Sequence, residues 1–214
     1  MRIVVLDGST ASDMALADAL DAAIGTLVTR GASVLRVRLD ELSIRTCREC
    51  SVCASTGTCR FEDDVVPVVE LIASANGLIA AAPSRGAHVD GPLARLLPRL
   101  RRCCAASSPA PRRGSGLPAV LIGSNPSPEP IARMLGHAEA PLRELAAGLA
   151  AVGAKVDGTL SLAAGPLHRD AGITARGQAV MLARTLSLRL APLPAPMRPD
   201  QWEIHRRSRR TAVA

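Results

Sequence analysis

Three short runs stay apolar without alternation: RIVVLD at residues 2–7, GLIAAA at 77–82 and LPAVLIGS at 117–124. A strand with one wet face alternates between apolar and polar residues. A run with almost no polar member belongs inside a sheet that is covered on both faces. Two-sided burial requires helices above and below, and the segments between the runs supply them. Residues 13–30 carry Leu16, Leu20, Ile24, Leu27 and Val28 at helical spacing, and Gly31 closes the segment. Asp63 and Asp64 precede Val65, Val68, Val69 and Ile72, and acidic residues are favoured at a helix start. Further helices are expected at 91–104, at 131–152 with a break near Gly136, and at 174–190. SVLRVRL at 33–39 alternates and reads as an edge strand, and 155–163 reads as the last strand. Residues 107–116 read as a loop.

Strands alternating with helices imply an α/β domain with a five-stranded parallel sheet, expected over residues 1–191. Residues 192–214 are rich in Pro and Arg and read as an extended or disordered tail. In such sheets ligands bind outside the carboxyl ends of the strands, where the strand order reverses. The loops to inspect therefore follow Asp7, Ala82 and Ile122 and read GSTASDMA, PSRGAHVDG and GSNPSPEP. No GxSxG, Walker A or GxGxxG pattern is present.

The chain has 214 residues, one Phe (Phe61), one Trp (Trp202) and no Tyr. Its core must be aliphatic, and few aromatic platforms are on hand. The net charge of +7 is concentrated at Arg95, Arg99, Arg101, Arg102, Arg112 and Arg113 and again at Arg198, Arg206, Arg207, Arg209 and Arg210. Two readings stand: a solvated helix face with a basic tail, or an anion site. Nucleic-acid binding would rest on charge alone, without the interleaved aromatics of single-strand binders. MRIVVLDGS is too short for a signal-peptide core. No charge-free run of 18 apolar residues suggests a transmembrane helix. The expectation is a cytoplasmic chain with reduced thiols and no membrane partner.

Four of the six cysteines lie in CRECSVCASTGTC, at Cys47, Cys50, Cys53 and Cys59. Compact spacing of this kind suits a [4Fe–4S] cluster. Zinc sites favour two pairs a dozen or more residues apart. Plain packing thiols, zinc and a redox disulfide stay open as alternatives. The vicinal Cys103 and Cys104 read as small buried hydrophobes.

The motifs carry a resemblance. Gly8-Ser9, then Cys47, Cys50, Cys53, Gly57, Cys59, Asp63 and Asp64, then Pro83, Val89, Gly91, Leu93 and Arg99 fall in order and at matching spacing. The chain thereby resembles the flavodoxin-like NAD(P)H-dependent FMN reductases, including their iron–sulfur branch. The resemblance implies a three-layer fold with strand order 2-1-3-4-5. It implies FMN as cofactor, NAD(P)H as co-substrate, and a small-molecule electron acceptor or redox protein as partner. It further implies a homo-oligomer, with Cys47, Cys50, Cys53 and Cys59 as ligands of a possible [4Fe–4S] cluster. By the same resemblance Ser9, Thr10 and Ser12 would serve the phosphate. Pro83, Ser84, Arg85 and Gly86 would present backbone groups to the flavin ring, and Ser124, with Asn125, would donate to it.

The chain departs from that pattern in both flavin loops. Ala11 stands for the family's Arg, Met14-Ala15-Leu16 for its Gly-Asn-Thr, and Arg85 and Gly86 for its ring-flanking aromatics. Asp13 puts a negative charge where a phosphate is expected, or else caps the helix. At about 5 Å and an effective dielectric of about 20, the repulsion costs roughly 3 kcal/mol per charge pair. A non-catalytic binding or assembly partner that has lost FMN is the alternative reading.

Overall fold

The computed structural model describes residues 1–56, 59–107, 116–163 and 168–190. Gly57, the tail at 192–214 and the side chains of Cys103, Cys104 and His168 lie outside the described residues. The elements in chain order are β1 (Arg2–Asp7), α1 (Met14–Thr29), β2 (Ser33–Arg38), α2 (Val52–Thr56), α3 (Val65–Ala73), β3 (Gly77–Arg85) and β4 (His88–Val89). There follow α4 (Gly91–Ser107), β5 (Leu117–Asn125), α5 (Glu129–Met134), α6 (Ala140–Leu149), β6 (Ala154–Ala163) and α7 (His168–Arg189).

β1, β3 and β5 are the three apolar runs, and they form the centre of a parallel sheet in the order β2-β1-β3-β5-β6. This is the expected doubly wound order once β4 is set aside. That strand has two residues, pairs antiparallel with the end of β3, and was not expected from the sequence. Successive residues of each central strand point to opposite faces, so two cores form. Val4, Leu6, Leu78, Ala80, Ala119 and Leu121 pack under α3, α4 and α6. Ile3, Val5, Ile79, Ala81, Val120 and Ile122 pack under α1 and α7. β2 lies at the edge and buries one residue fully, Val37, as its alternation implied.

β3 runs three residues beyond its expected end at Ala82, through Pro83. Ala81 presents its carbonyl to Gly8 on the β1 side. Pro83, two residues on, faces the same way but beyond the end of β1, so its missing N–H costs no ladder bond. The break expected near Gly136 is present, with that residue at φ +70° between α5 and α6. α7 begins at His168, six residues earlier than the periodicity suggested. Among the described residues no helix is long and apolar enough to cross a membrane.

Register brings the three loops together. Asp7 lies opposite Ala81, Ala81 opposite Ile122, and Ile122 opposite Leu160. The chain leaves β1, β3, β5 and β6 at one level, and the order reverses between β1 and β3. Gly8 marks the floor of that crevice. A Cβ there would lie 2.9 Å from the Ala81 carbonyl oxygen and 3.1 Å from Leu93 Cδ1. Only glycine fits without displacing backbone.

Candidate active site

A cleft of about 900 Å³ opens at this level, within the range of small-molecule sites. Of the eight residues expected at a flavin, Thr10, Ser12, Pro83, Ser84, Arg85 and Ser124 line it; Ser9 and Gly86 do not. Asp13, Asp90, Asn125 and the β6 residues Leu162 and Ala163 also line it.

The first loop is organised from inside by carboxylates. Asp7, buried at the end of β1, accepts both the backbone N–H and the hydroxyl of Ser9, at 2.9 and 2.6 Å. Its other oxygen accepts Arg36 Nε at 2.8 Å. Ser9 thus spends both donors inward. Asp13 sits at the cap position of α1 but makes no side-chain cap bond. Its Oδ2 turns back to accept the Thr10 hydroxyl at 2.6 Å and the Thr10 N–H at 3.2 Å. Its Oδ1 lies 3.4 Å from the Ser124 hydroxyl. Ser12 Oγ completes the cluster 2.9 Å from Thr10 Oγ1. Neither of the readings open for Asp13 in the sequence describes this arrangement fully. The carboxylate closes a ring with the loop's own donors.

The second loop is held by Asn125, whose side chain is buried. Its Nδ2 donates to Ser84 Oγ at 2.9 Å, to the His137 carbonyl at 3.1 Å and to the Gly86 carbonyl at 3.3 Å. Its Oδ1 accepts the Ser127 N–H at 2.8 Å. Ser84 Oγ in turn donates to the Ser124 carbonyl at 2.9 Å. One amide therefore ties the ends of β3 and β5 and the turn between α5 and α6 into a fixed cleft wall. Gly86, at φ +62°, turns the chain into β4. Arg85 lines the cleft, but its guanidinium is already engaged. Its guanidinium is clasped by Asp90 at 2.9 and 3.0 Å and stays 85% exposed. The Gly91 N–H, then Arg85, hold the Asp90 carboxyl below its ordinary range. The clasp is present above that range and is lost as pH falls through the lowered value.

The family model for NADPH-dependent FMN reductase matches residues 1–161. The chain belongs to the NADPH-dependent FMN reductase family. No curated protein sequence matches it. Solved structures with the same fold include an NAD(P)H:quinone oxidoreductase from Methanothermobacter marburgensis at 17% identity and TM-score 0.63, covering 91% of this chain and 98% of that one. An azoreductase from Bacillus anthracis matches at 10% identity and TM-score 0.62, covering 87% and 98%. An apo NADH:FMN oxidoreductase matches at 16% identity and TM-score 0.59, covering 90% and 91%. At these identities the likeness speaks for the fold, and the family model speaks for an oxidoreductase.

Within this reductase fold the cysteine loop is a separate structure, anchored by a buried ion pair. Asp63 accepts Arg99 Nη1 at 2.7 Å and Nη2 at 3.1 Å, and both side chains are 1% exposed. Arg99 also donates to the Arg45 carbonyl at 2.9 Å, and Asp63 accepts the Arg45 N–H at 3.1 Å. Phe61 is ringed by the guanidinium carbons of Arg99, Arg45 and Arg48 at 5.2, 5.6 and 5.8 Å from its centroid, within cation–π range. It lines no part of the cleft.

The four cysteines do not converge. Cys53 is buried on α2, Cys50 is exposed, and Cys47 and Cys59 are intermediate; all four are free thiols. Among the described residues no three His, Cys, Asp or Glu side chains form a metal-holding group. The expected [4Fe–4S] ligand set is not assembled in this arrangement, because α2 turns Cys53 into the core while the loop carries Cys50 outward. Glu49 and Ser51, at φ +51° and +57°, bend the chain sharply around Cys50, a conformation that costs about 1–2 kcal/mol per non-glycine residue. The Val52 backbone N–H, with Arg60 adding to it, lowers the Cys50 thiol below its ordinary value. Thiolate fraction governs alkylation. Among these four, iodoacetamide at neutral pH should therefore modify Cys50 first and Cys53 last, as read by peptide mass mapping. Equal rates at both would contradict this placement.

Proposed function

We propose that the cleft between the loops after β1, β3 and β5 is the flavin site of an NAD(P)H-dependent oxidoreductase. The observation that carries this is the coincidence of the cleft with the order-reversal point of the sheet, in a chain of the FMN reductase family. The wall formed by Ser84, Ser124 and Asn125 suits the ring end, where backbone groups and the Ser124 hydroxyl would meet the polar edge of the isoalloxazine. Leu16 and Leu162 supply apolar lining nearby. The phosphate end fits poorly, because the Asp13 carboxylate stands on the Thr10 donors.

A bound flavin supplies the redox chemistry: NAD(P)H gives up a hydride, one proton comes from solvent, and two electrons leave to a small-molecule acceptor or redox protein. The residues of this chain position the ring and shape access to it. No electron step is assigned to Cys47–Cys59, because the thiols do not form a cluster site as placed. The reading includes a homo-oligomer, for which Ile131, Met134 and Leu135, exposed at i, i+3 and i+4 along α5 and its end, offer a face.

The test is flavin-dependent oxidation of NADPH or NADH by the purified chain, compared with Ser124→Phe, which fills the cleft. The expected result is turnover that requires added flavin and falls at least about tenfold in the variant, since a blocked site loses more than 1.4 kcal/mol of binding. Absence of flavin uptake and of turnover would leave the non-catalytic reading in its place.

A further inference from the structure

We infer that Asp13 makes the cleft selective for a phosphate-free flavin of the riboflavin type, by standing in permanently for the anion that the loop would otherwise bind. The inference rests on the flavin reading of the cleft and refines its ligand. Three observations carry it. First, the Asp13 carboxylate accepts the Thr10 hydroxyl and the Thr10 N–H, the groups a phosphate would need, and the Ser9 donors are consumed by Asp7. Second, Asp13 lines the cleft and forms no ion pair among the described residues, so no cationic side chain offsets its charge there. Arg85, the cleft's own guanidinium, is already clasped by Asp90. Third, the carboxylate lies at the mouth of α1, where the helix N-terminus favours one anion and that anion is already covalently in place.

The ligand chemistry follows. A phosphate dianion brought to this loop would lose the Thr10 donors and meet a like charge. A sugar-alcohol chain ending in a primary hydroxyl brings a donor instead, which a carboxylate accepts in a charge-assisted bond. With its proton donated to Asp13, Thr10 Oγ1 remains only as an acceptor, and it and Ser12 Oγ can accept from the remaining ribityl hydroxyls. A neutral flavin tail therefore completes the loop, and a phosphorylated one competes with it.

The experiment is a fluorescence-quenching titration of the full chain with riboflavin and with FMN, repeated for Asp13→Asn and Asp13→Glu. The wild type is expected to bind riboflavin at least as tightly as FMN. Asp13→Asn should move the ratio of the two affinities toward FMN by about ten- to a hundredfold, whereas Asp13→Glu, which keeps the charge, should stay near the wild type. FMN bound more than tenfold tighter than riboflavin by the wild type would overturn the inference while leaving the cleft a flavin site. So would a ratio unchanged by Asp13→Asn. Failure of the wild type to bind either flavin would overturn both readings.

Discussion

Asp63→Ala should lower the unfolding free energy by about 3–5 kcal/mol, the cost of leaving one partner of a buried ion pair uncompensated. Arg99 is 1% exposed on α4 and cannot reach water without moving the helix. The same substitution strips the acceptor from the Arg45 N–H and cuts the tie between the cysteine loop and the helical layer. Urea denaturation followed by circular dichroism measures the first effect, and a faster reaction of Cys53 with thiol reagents measures the second. A loss below 1 kcal/mol would mean that the pair is not buried as described. Replacing both partners by apolar residues should recover part of the loss, because the large penalty belongs to the orphaned charge and not to the pair itself.

Leu93→Ala should cost about 2–5 kcal/mol, the range for deleting a large aliphatic side chain that cannot be replaced by collapse of its surroundings. Leu93 is fully buried on α4. It lies directly beneath Gly8, with Cδ1 3.1 Å from where a Cβ on that glycine would sit. The cavity therefore opens under the floor of the cleft, and flavin affinity should fall together with stability. Leu188, which is 77% exposed on α7, provides the comparison: Leu188→Ala should change stability by less than about 0.5 kcal/mol. Similar values for the two variants would contradict the packing described for the cleft floor.

The central sheet was legible because its signal is strong and local. An unbroken apolar run admits few alternatives to a strand covered on both faces, and β1, β3 and β5 stand where those runs lie. The strand order was implied by the family resemblance, and the three ligand loops follow from the doubly wound pattern. β4 was not legible, since two residues carry no periodicity; it exists because the end of β3 outlasts β1 and turns back on itself at Gly86.

The site was legible as a place and less so as chemistry. Six of the expected residues share the cleft, but which donors are free is a tertiary fact. Nothing in the string GSTASD tells that Asp7 takes the donors of Ser9 while Asp13 takes those of Thr10. The Asp63–Arg99 pair spans 36 positions; motif spacing marked both residues, and only packing joined them. The cysteine spacing suggested convergence, yet spacing fixes distance along the chain and not side-chain direction. One turn of helix at Val52–Thr56 sends Cys53 inward, away from Cys50.

The most direct test that the cleft holds a flavin is a backbone chemical-shift map of the isotope-labelled chain titrated with riboflavin. The largest shifts should fall at residues 10–16, 84–91 and 124–125, with Asp13, Ser84 and Asn125 among them. Shifts confined to the cysteine loop at 47–59, or no shifts at all, would contradict it.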